Sequence, residues 1–346
     1  MLSRMFLILL AGLLVYRVFW FCDLNMFKCY RRYKFYRIED LGSKYASLVA
    51  IRSRVSQCYD YMFVAPQNQL LLGMVLGIDE FNKVPDFKKA LKDTGTVHAV
   101  VVSGYNMNLV FSILIRVFGG PYSFIGVIGT LLFGTVYAVL SGFEPPVMRA
   151  LLMSIFLLLN TNLGRSVSIY NVLFLSAWIL IVFYPNLIFN LSFLLSFGAS
   201  LSLICFSEPL EDLFKKGILK FVPLRSDIVS TISAQILIWP LLSLYFGSFN
   251  VVGFITNPLL LWSVPLSTIG GGVVALLCFL PEKSWGLIKV FTSVVSIPTW
   301  VFSYGVTKLS YFSFLNQKFN LGLTTSIIYY LCIGALFVFA RIKRKK

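Results

Sequence analysis

Residues 122–142 read YSFIGVIGTLLFGTVYAVLSG. No acidic or basic side chain interrupts these 21 positions. One α-helix needs about 20 apolar residues to cross the hydrocarbon of a bilayer. In lipid every backbone N–H and C=O must be paired within its own segment, so an isolated run of this kind is a helix and not an open strand. The same texture recurs on both sides, near 96–118, 146–160, 167–184, 188–206, 228–247, 250–262, 264–280, 286–306 and 322–340, with an earlier run at 5–21. The expected fold is therefore an all-α polytopic integral membrane protein with about 9–11 hydrophobic segments, some of them broken or re-entrant.

Composition agrees. The chain has 346 residues, 58% hydrophobic and 13% charged, with a mean hydropathy of +0.82. A soluble domain carries about 25% charged residues, and a chain this apolar cannot cover itself with polar surface. Thirty Lys and Arg against fourteen Asp and Glu leave a net charge of +16. An excess of that size calls for a counter-charge, from anionic lipid, nucleic acid or both.

Several chemistries are excluded. His98 is the sole histidine, so motifs that need two or more, such as HExxH or a di-zinc hydrolase site, cannot be built. No phosphate-binding P-loop and no GxGxxG turn occurs. The six cysteines, Cys22, Cys29, Cys58, Cys205, Cys278 and Cys332, include no CxxC pair, so no metal site and no cofactor are expected. Cys29 and Cys58 share the one long polar stretch and could form a disulfide if it lies outside the cell; two free thiols are the alternative. Cys205, Cys278 and Cys332 lie in apolar runs and read as small core residues.

The chain divides into an N-terminal membrane anchor at 1–22, a short basic polar segment at 23–66, a transmembrane domain at 67–341 and a basic cytoplasmic tail at 342–346. The anchor reads as uncleaved, because Phe19-Trp20-Phe21-Cys22-Asp23 is too bulky for a cleavage site. In the basic segment Lys28, Arg31, Arg32, Lys34 and Arg37 alternate with Tyr30, Tyr33, Phe35 and Tyr36. Cations for phosphates and rings for bases suit a single-strand contact; the same cluster after a span also suits anionic lipid. The apolar block reads as broken at Ser103-Gly104, at Trp239-Pro240, at Asn257-Pro258 and at Gly270-Gly271-Gly272; the alternative at each site is that Gly and Pro serve close helix packing. Non-helical backbone at membrane depth survives where protein buries it or where it lines a watery path.

The order of certain motifs resembles a known family. Thr94-Gly95-Thr96-Val97-His98 through Val102-Ser103-Gly104 is similar to the "TG-x-x-HLLAVSG-x-H" opening of the competence domain in ComEC-type DNA-uptake channels. Ser141-Gly142-Phe143 with Pro145-Pro146-Val147-Met148-Arg149-Ala150, then Asn162-Leu163-Gly164-Arg165, Asn190 to Phe197, Ala234-Gln235 to Pro240, and Asn257 to Pro265 follow in that family's order over roughly 67–280. The resemblance implies a channel for uptake of single-stranded DNA during natural transformation, in a bacterial cytoplasmic (inner) membrane. It also implies single-stranded DNA and membrane lipid as partners, together with a separate DNA receptor, nuclease and cytoplasmic motor; a homo-oligomer stays open. Two departures stand out. One histidine cannot build the family's metallo-β-lactamase-like nuclease site, and 23–66 is short for its OB-like domain. Asn106 also replaces the second histidine of the opening motif, which removes a group that titrates near neutrality.

A route for DNA through a bilayer must hide phosphates from hydrocarbon, yet hold them weakly enough to let them leave. On that basis His98, Ser103, Gly104, Asn106, Asn108, Arg149, Asn190, Ser192, Ser196, Gln235 and Asn257 are the path candidates. Arg149 stands four residues after Pro145 and could meet phosphate or Glu144. Ser192 and Ser196 share one helix face. Gln235 and Asn257 precede prolines and could instead satisfy carbonyls that those prolines free. No nucleophile–base pair is evident, so an enzyme is not expected. The alternatives are a secondary transporter or flippase for an anionic small molecule or lipid-linked substrate, and an inactive truncated relative.

Overall fold

The computed structural model describes residues 12–16, 18, 22–23, 28–29, 46–100, 104–120, 122–215, 225–247, 250–316 and 321–344. Two short strands, β1 (Cys22–Asp23) and β2 (Lys28–Cys29), pair antiparallel with Cys22 opposite Cys29. Helices follow: α1 (Ala46–Met62), α2 (Gln67–Leu76), α3 (Pro85–Asp93), α4 (Val97–Val100), α5 (Gly104–Val117), α6 (Phe124–Leu140) and α7 (Pro145–Asn162). Then come α8 (Ile169–Phe183), α9 (Leu191–Phe214), α10 (Arg225–Phe246), α11 (Gly253–Leu260), α12 (Ser263–Leu277), α13 (Trp285–Leu309) and α14 (Leu323–Arg344). Within the expected 1–22 anchor the backbone of 12–16 is helical; most of the rest lies outside the described residues.

Among the described residues three helices are long and apolar enough to cross a membrane, Leu191–Phe214, Arg225–Tyr245 and Ile288–Leu315. Gly253–Leu260 and Ser263–Leu277 together would make a fourth, interrupted at 261–262. Shorter apolar helices lie at Ile125–Leu140, Ile169–Phe183 and Leu323–Phe337. The stripe Ile125, Ile128, Leu132 and Val136 of α6 is exposed on the protein. At three- and four-residue spacing it forms one apolar face suited to lipid. The chain is an all-α membrane protein.

The contacts divide the chain into two compact units. The first holds residues up to 80, 99–197 and 265–296. Here α1 and α2 pack against α12 around buried Val55, Tyr59, Leu71, Leu72 and Val274. The Gly270-Gly271-Gly272 triplet, expected as a break, lies inside the continuous α12. Its use is close approach: a Cβ on Gly271 would stand 2.9 Å from Leu71 Cδ2 and 3.0 Å from Val75 Cγ2. The Tyr59 hydroxyl donates to the Gly271 carbonyl at 2.6 Å, and burial pushes its phenol above the ordinary range. Arg54 caps the far end of α12, donating from Nε to the Cys278 carbonyl at 3.0 Å and from Nη2 to that of Leu280 at 3.1 Å. The Cys278 carbonyl is one that a helix leaves without a partner at its C-terminus, and Leu280 lies in the turn just beyond it.

Cys58 forms a disulfide with Cys278, with 5.9 Å between their Cα atoms. Cys58 therefore does not pair with Cys29; Cys278 is a buried core residue as expected, whereas Cys205 is half-buried and Cys332 exposed. Cys58 is fully buried, and the packing of α1 on α12 brings a partner 220 positions away within bonding reach.

The same unit contains α5, α6, α7 and α8. Buried Met107, Phe111, Ala138, Val147 and Leu151 join the first three of these helices, with Phe143 packed beside them. Phe143 adopts φ 54° in the α6–α7 turn, a left-handed conformation that is uncommon for a bulky side chain. Its packing holds it there. Pro145 and Pro146 then occupy the first positions of α7, where a missing N–H costs nothing.

The second unit holds 81–98, 198–264 and 297–346. Its α3 ends at Thr94-Gly95, with Gly95 at φ +68°. Asn250 Nδ2 donates to the Lys92 carbonyl at 2.8 Å, and Asn316 Nδ2 to that of Asp93 at 2.7 Å. The same two side chains accept from the N–H groups of Gly253 and Val252. Two asparagines thus close the end of α3 against the start of α11. Pro240 does not break α10, which runs on to Phe246. It frees the Ile236 carbonyl, four residues earlier, and the Tyr329 hydroxyl of α14 donates to that oxygen at 3.0 Å. The neighbouring Tyr330 hydroxyl donates to the Leu237 carbonyl at 2.8 Å. Pro258 likewise lies inside α11, which ends at Leu260.

Candidate functional site

In the first unit the beginnings of α5 and α7 meet the first turns of α9. Pro145 sets the start of α7, which places Arg149 in its second turn. The side chain is buried, with 8% of the residue exposed. Its Nη1 donates to the backbone carbonyl of Ser196, and its Cζ lies 6.0 Å from the centre of the Phe197 ring. Nη2 lies against the first residue of α5: a Cβ on Gly104 would fall 2.1 Å from it and 3.2 Å from the Pro146 carbonyl. No side chain larger than hydrogen fits at 104 while Arg149 holds this position. Asn190 starts α9 by accepting from the Phe193 N–H at 3.1 Å, which orients the turns that carry Ser196.

The electrostatics are one-sided. Arg149 Nε and Ser196 Oγ are both buried without a hydrogen-bond partner. The first N–H groups of α5 have no partner within their own helix, and that end carries the positive pole of the helix dipole. A guanidinium therefore sits against another positive end, and its described contacts are a carbonyl and an aromatic face, with no carboxylate. Burying a cation this way is costly unless a counter-charge arrives. The arrangement suits an anion presenting oxygens to Arg149, the Ser196 hydroxyl and the start of α5.

Of the residues singled out from sequence, the structure brings together Gly104, Arg149, Ser196 and, as a helix cap, Asn190. Ser192 lies one turn before Ser196 and is exposed. Asn106 and Asn108 belong to α5, but their side chains, like all of Ser103, lie outside the described residues. His98, Gln235 and Asn257 belong to the second unit. There His98 is exposed, with Nδ1 2.9 Å from the Gly95 carbonyl. Gln235 is half-buried, and Tyr329 satisfies the carbonyl it was expected to serve. Asn257 is 4% exposed with Oδ1 unpartnered. Lys28 lies in β2; Arg31, Arg32, Lys34 and Arg37 lie outside the described residues.

Sequence reading missed Phe197 and the Ser196 carbonyl as partners of Arg149. A carbonyl carries no sequence signal, whereas Phe197 directly follows a residue already marked and could have been found.

Fold and site together define an all-α membrane protein with a buried arginine at converging helix ends. The family profile described as "Competence protein" matches residues 74–343, and the chain belongs to that family. It is 29% identical over 212 residues to the ComE operon protein 3 of Bacillus subtilis (strain 168), a match covering 60% of this chain and 26% of that protein. It is 30% identical over 141 residues to an uncharacterized protein of Aquifex aeolicus (strain VF5), covering 40% of this chain and 33% of the relative. The chain thus spans about a quarter to a third of the relatives it matches. No solved structure matches it.

Proposed function

We propose that this chain is the membrane-spanning part of a DNA-uptake machine and passes single-stranded DNA across a bacterial cytoplasmic membrane during natural transformation. The observation that carries the reading is Arg149, buried beside the start of α5 with an unpartnered Nε. A buried cation with an unused Nε donor can take a phosphate and release it, which transit along a polymer requires. Membership of the competence family supports DNA as the anion's source. The shorter helices α6, α8 and α14 cross the membrane alongside the three long ones, giving a multi-pass protein. The Cys58–Cys278 disulfide supports an oxidising, outer side for that end of the first unit; the basic tail belongs in the cytoplasm. The chain acts by transport and not by catalysis, and a receptor outside, a nuclease in trans and a motor inside complete the machine.

The test is deletion of the gene in the source cells, followed by three readings with labelled DNA: surface-bound, nuclease-protected, and integrated. The expected result is normal surface DNA with loss of protected DNA and of transformants. Unchanged transformation would overturn the reading.

A further inference from the structure

The end of the first unit that carries the disulfide also gathers cations and rings, none of them among the residues marked from sequence. Tyr61, in the last turn of α1, is 53% exposed. Trp285 opens α13, and the two rings lie 5.9 Å apart, tilted by 43°. Lys289 Nζ stands 5.0 Å from the Tyr61 ring centre, and Arg54 Cζ lies 5.9 Å over Trp285. Lys283 is exposed in the turn just before Trp285. Asp60, the acid next to Tyr61, already accepts from Asn68 Nδ2 at 2.7 Å.

Single-stranded nucleic acid is held without regard to sequence by this combination, with bases stacked on aromatic faces and phosphates met by nearby cations. The cluster is also rigid. The disulfide ties α1 to α12, and Arg54 fixes the α12 terminus, so little ordering cost falls on binding. Trp, Tyr and Lys also anchor proteins at the edge of a bilayer. Arg54, Lys283 and Lys289 outnumber Asp60, which is already engaged, and Glu282, which precedes Lys283 in the chain; that net positive charge favours a polyanion, and the disulfide supports an outward-facing position where an arriving strand would first meet the protein.

Building on the uptake reading, we infer that Tyr61 and Trp285, flanked by Arg54, Lys283 and Lys289, form a receiving platform for single-stranded DNA outside the membrane path. The test uses the whole protein in neutral phosphatidylcholine nanodiscs, with a fluorescein-labelled dT12 titrated by anisotropy at several salt concentrations. Stacking contributes about 1–3 kcal/mol per base, so Tyr61→Ala combined with Trp285→Ala is expected to weaken binding by about 30-fold or more. Tyr61→Phe restores most of what Tyr61→Ala loses. Lys289→Gln lowers the salt slope by about 0.7. Tyr122→Ala, at an exposed ring elsewhere in the unit, leaves affinity unchanged.

Binding by the double variant within threefold of wild type overturns the platform, as does a wild-type protein that does not bind dT12. Loss of binding matched by a lower melting temperature or poorer recovery in vesicles assigns the cluster to membrane anchoring and overturns it equally. The uptake reading is judged separately, by transformation in the gene deletion: lost dT12 binding alongside unchanged transformation would leave the platform standing and remove the uptake reading.

Discussion

Arg149→Met tests the site most directly. The substitution keeps an unbranched, flexible side chain and removes the charge. The folded protein gives up a hydrogen bond to the Ser196 carbonyl and sheds a buried cation with an unpartnered Nε. Those changes oppose each other. Removing a buried charge in favour of an apolar group of similar volume is often neutral or stabilising. The melting temperature of the purified protein is therefore expected to hold or rise. Transport behaves differently. At 4 Å and an effective dielectric near 20, a guanidinium and a phosphate attract by about 4 kcal/mol. Taking the phosphate out of water offsets part of that. With a factor of ten for every 1.4 kcal/mol, uptake should fall between about tenfold and a thousandfold. The assay is nuclease-protected labelled DNA per cell at matched surface-bound DNA and matched protein level. Uptake within threefold of wild type refutes the reasoning. So does a loss of uptake accompanied by a collapse in melting temperature, because Arg149 would then be a structural staple between α7 and α9.

Other consequences of the structure can be checked in the same cells or on purified protein. Gly104→Ala changes no charge but places a Cβ 2.1 Å from Arg149 Nη2; protected DNA should fall at least tenfold, and normal uptake would show that Arg149 need not occupy this position. Tyr329→Phe removes the donor to the Ile236 carbonyl freed by Pro240, and a hydrogen bond between membrane helices contributes about 0.6–1.7 kcal/mol. Its melting temperature should fall by a few degrees, while Tyr329→Leu falls further. Peptide mapping without reductant should recover Cys58 and Cys278 in one linked fragment. Cys58→Ser should yield one additional free thiol, that of buried Cys278, on maleimide labelling after denaturation, and destabilise the protein by about 2–5 kcal/mol. Gly271→Val should separate α12 from Leu71 and Val75 and lower the yield of folded protein, with Gly272→Ala, where no atom lies within 4 Å, as the tolerated comparison.

The sequence by itself determined the solvent and the element type. A run such as 122–142, free of charge, has to be a helix in lipid. The motif order determined the family, and the presence of arginine in the first turns of an apolar segment marked Arg149 as a residue to watch. Glycine and proline were harder to read, because the same residues serve breaks and close packing. Pro240 sits inside a continuous helix because Tyr329, 89 positions later, supplies the missing donor. Gly271 serves packing because Leu71, Val75 and Tyr59 lie against it. Tertiary structure alone decided that Cys58 joins Cys278, that a backbone carbonyl at Ser196 receives Arg149, and that Tyr61 meets Trp285 and Lys289. The physical reason is common to all three. Periodicity and propensity act over a few residues, whereas these contacts join helices far apart in the chain, whose register is set by the side chains packed between them.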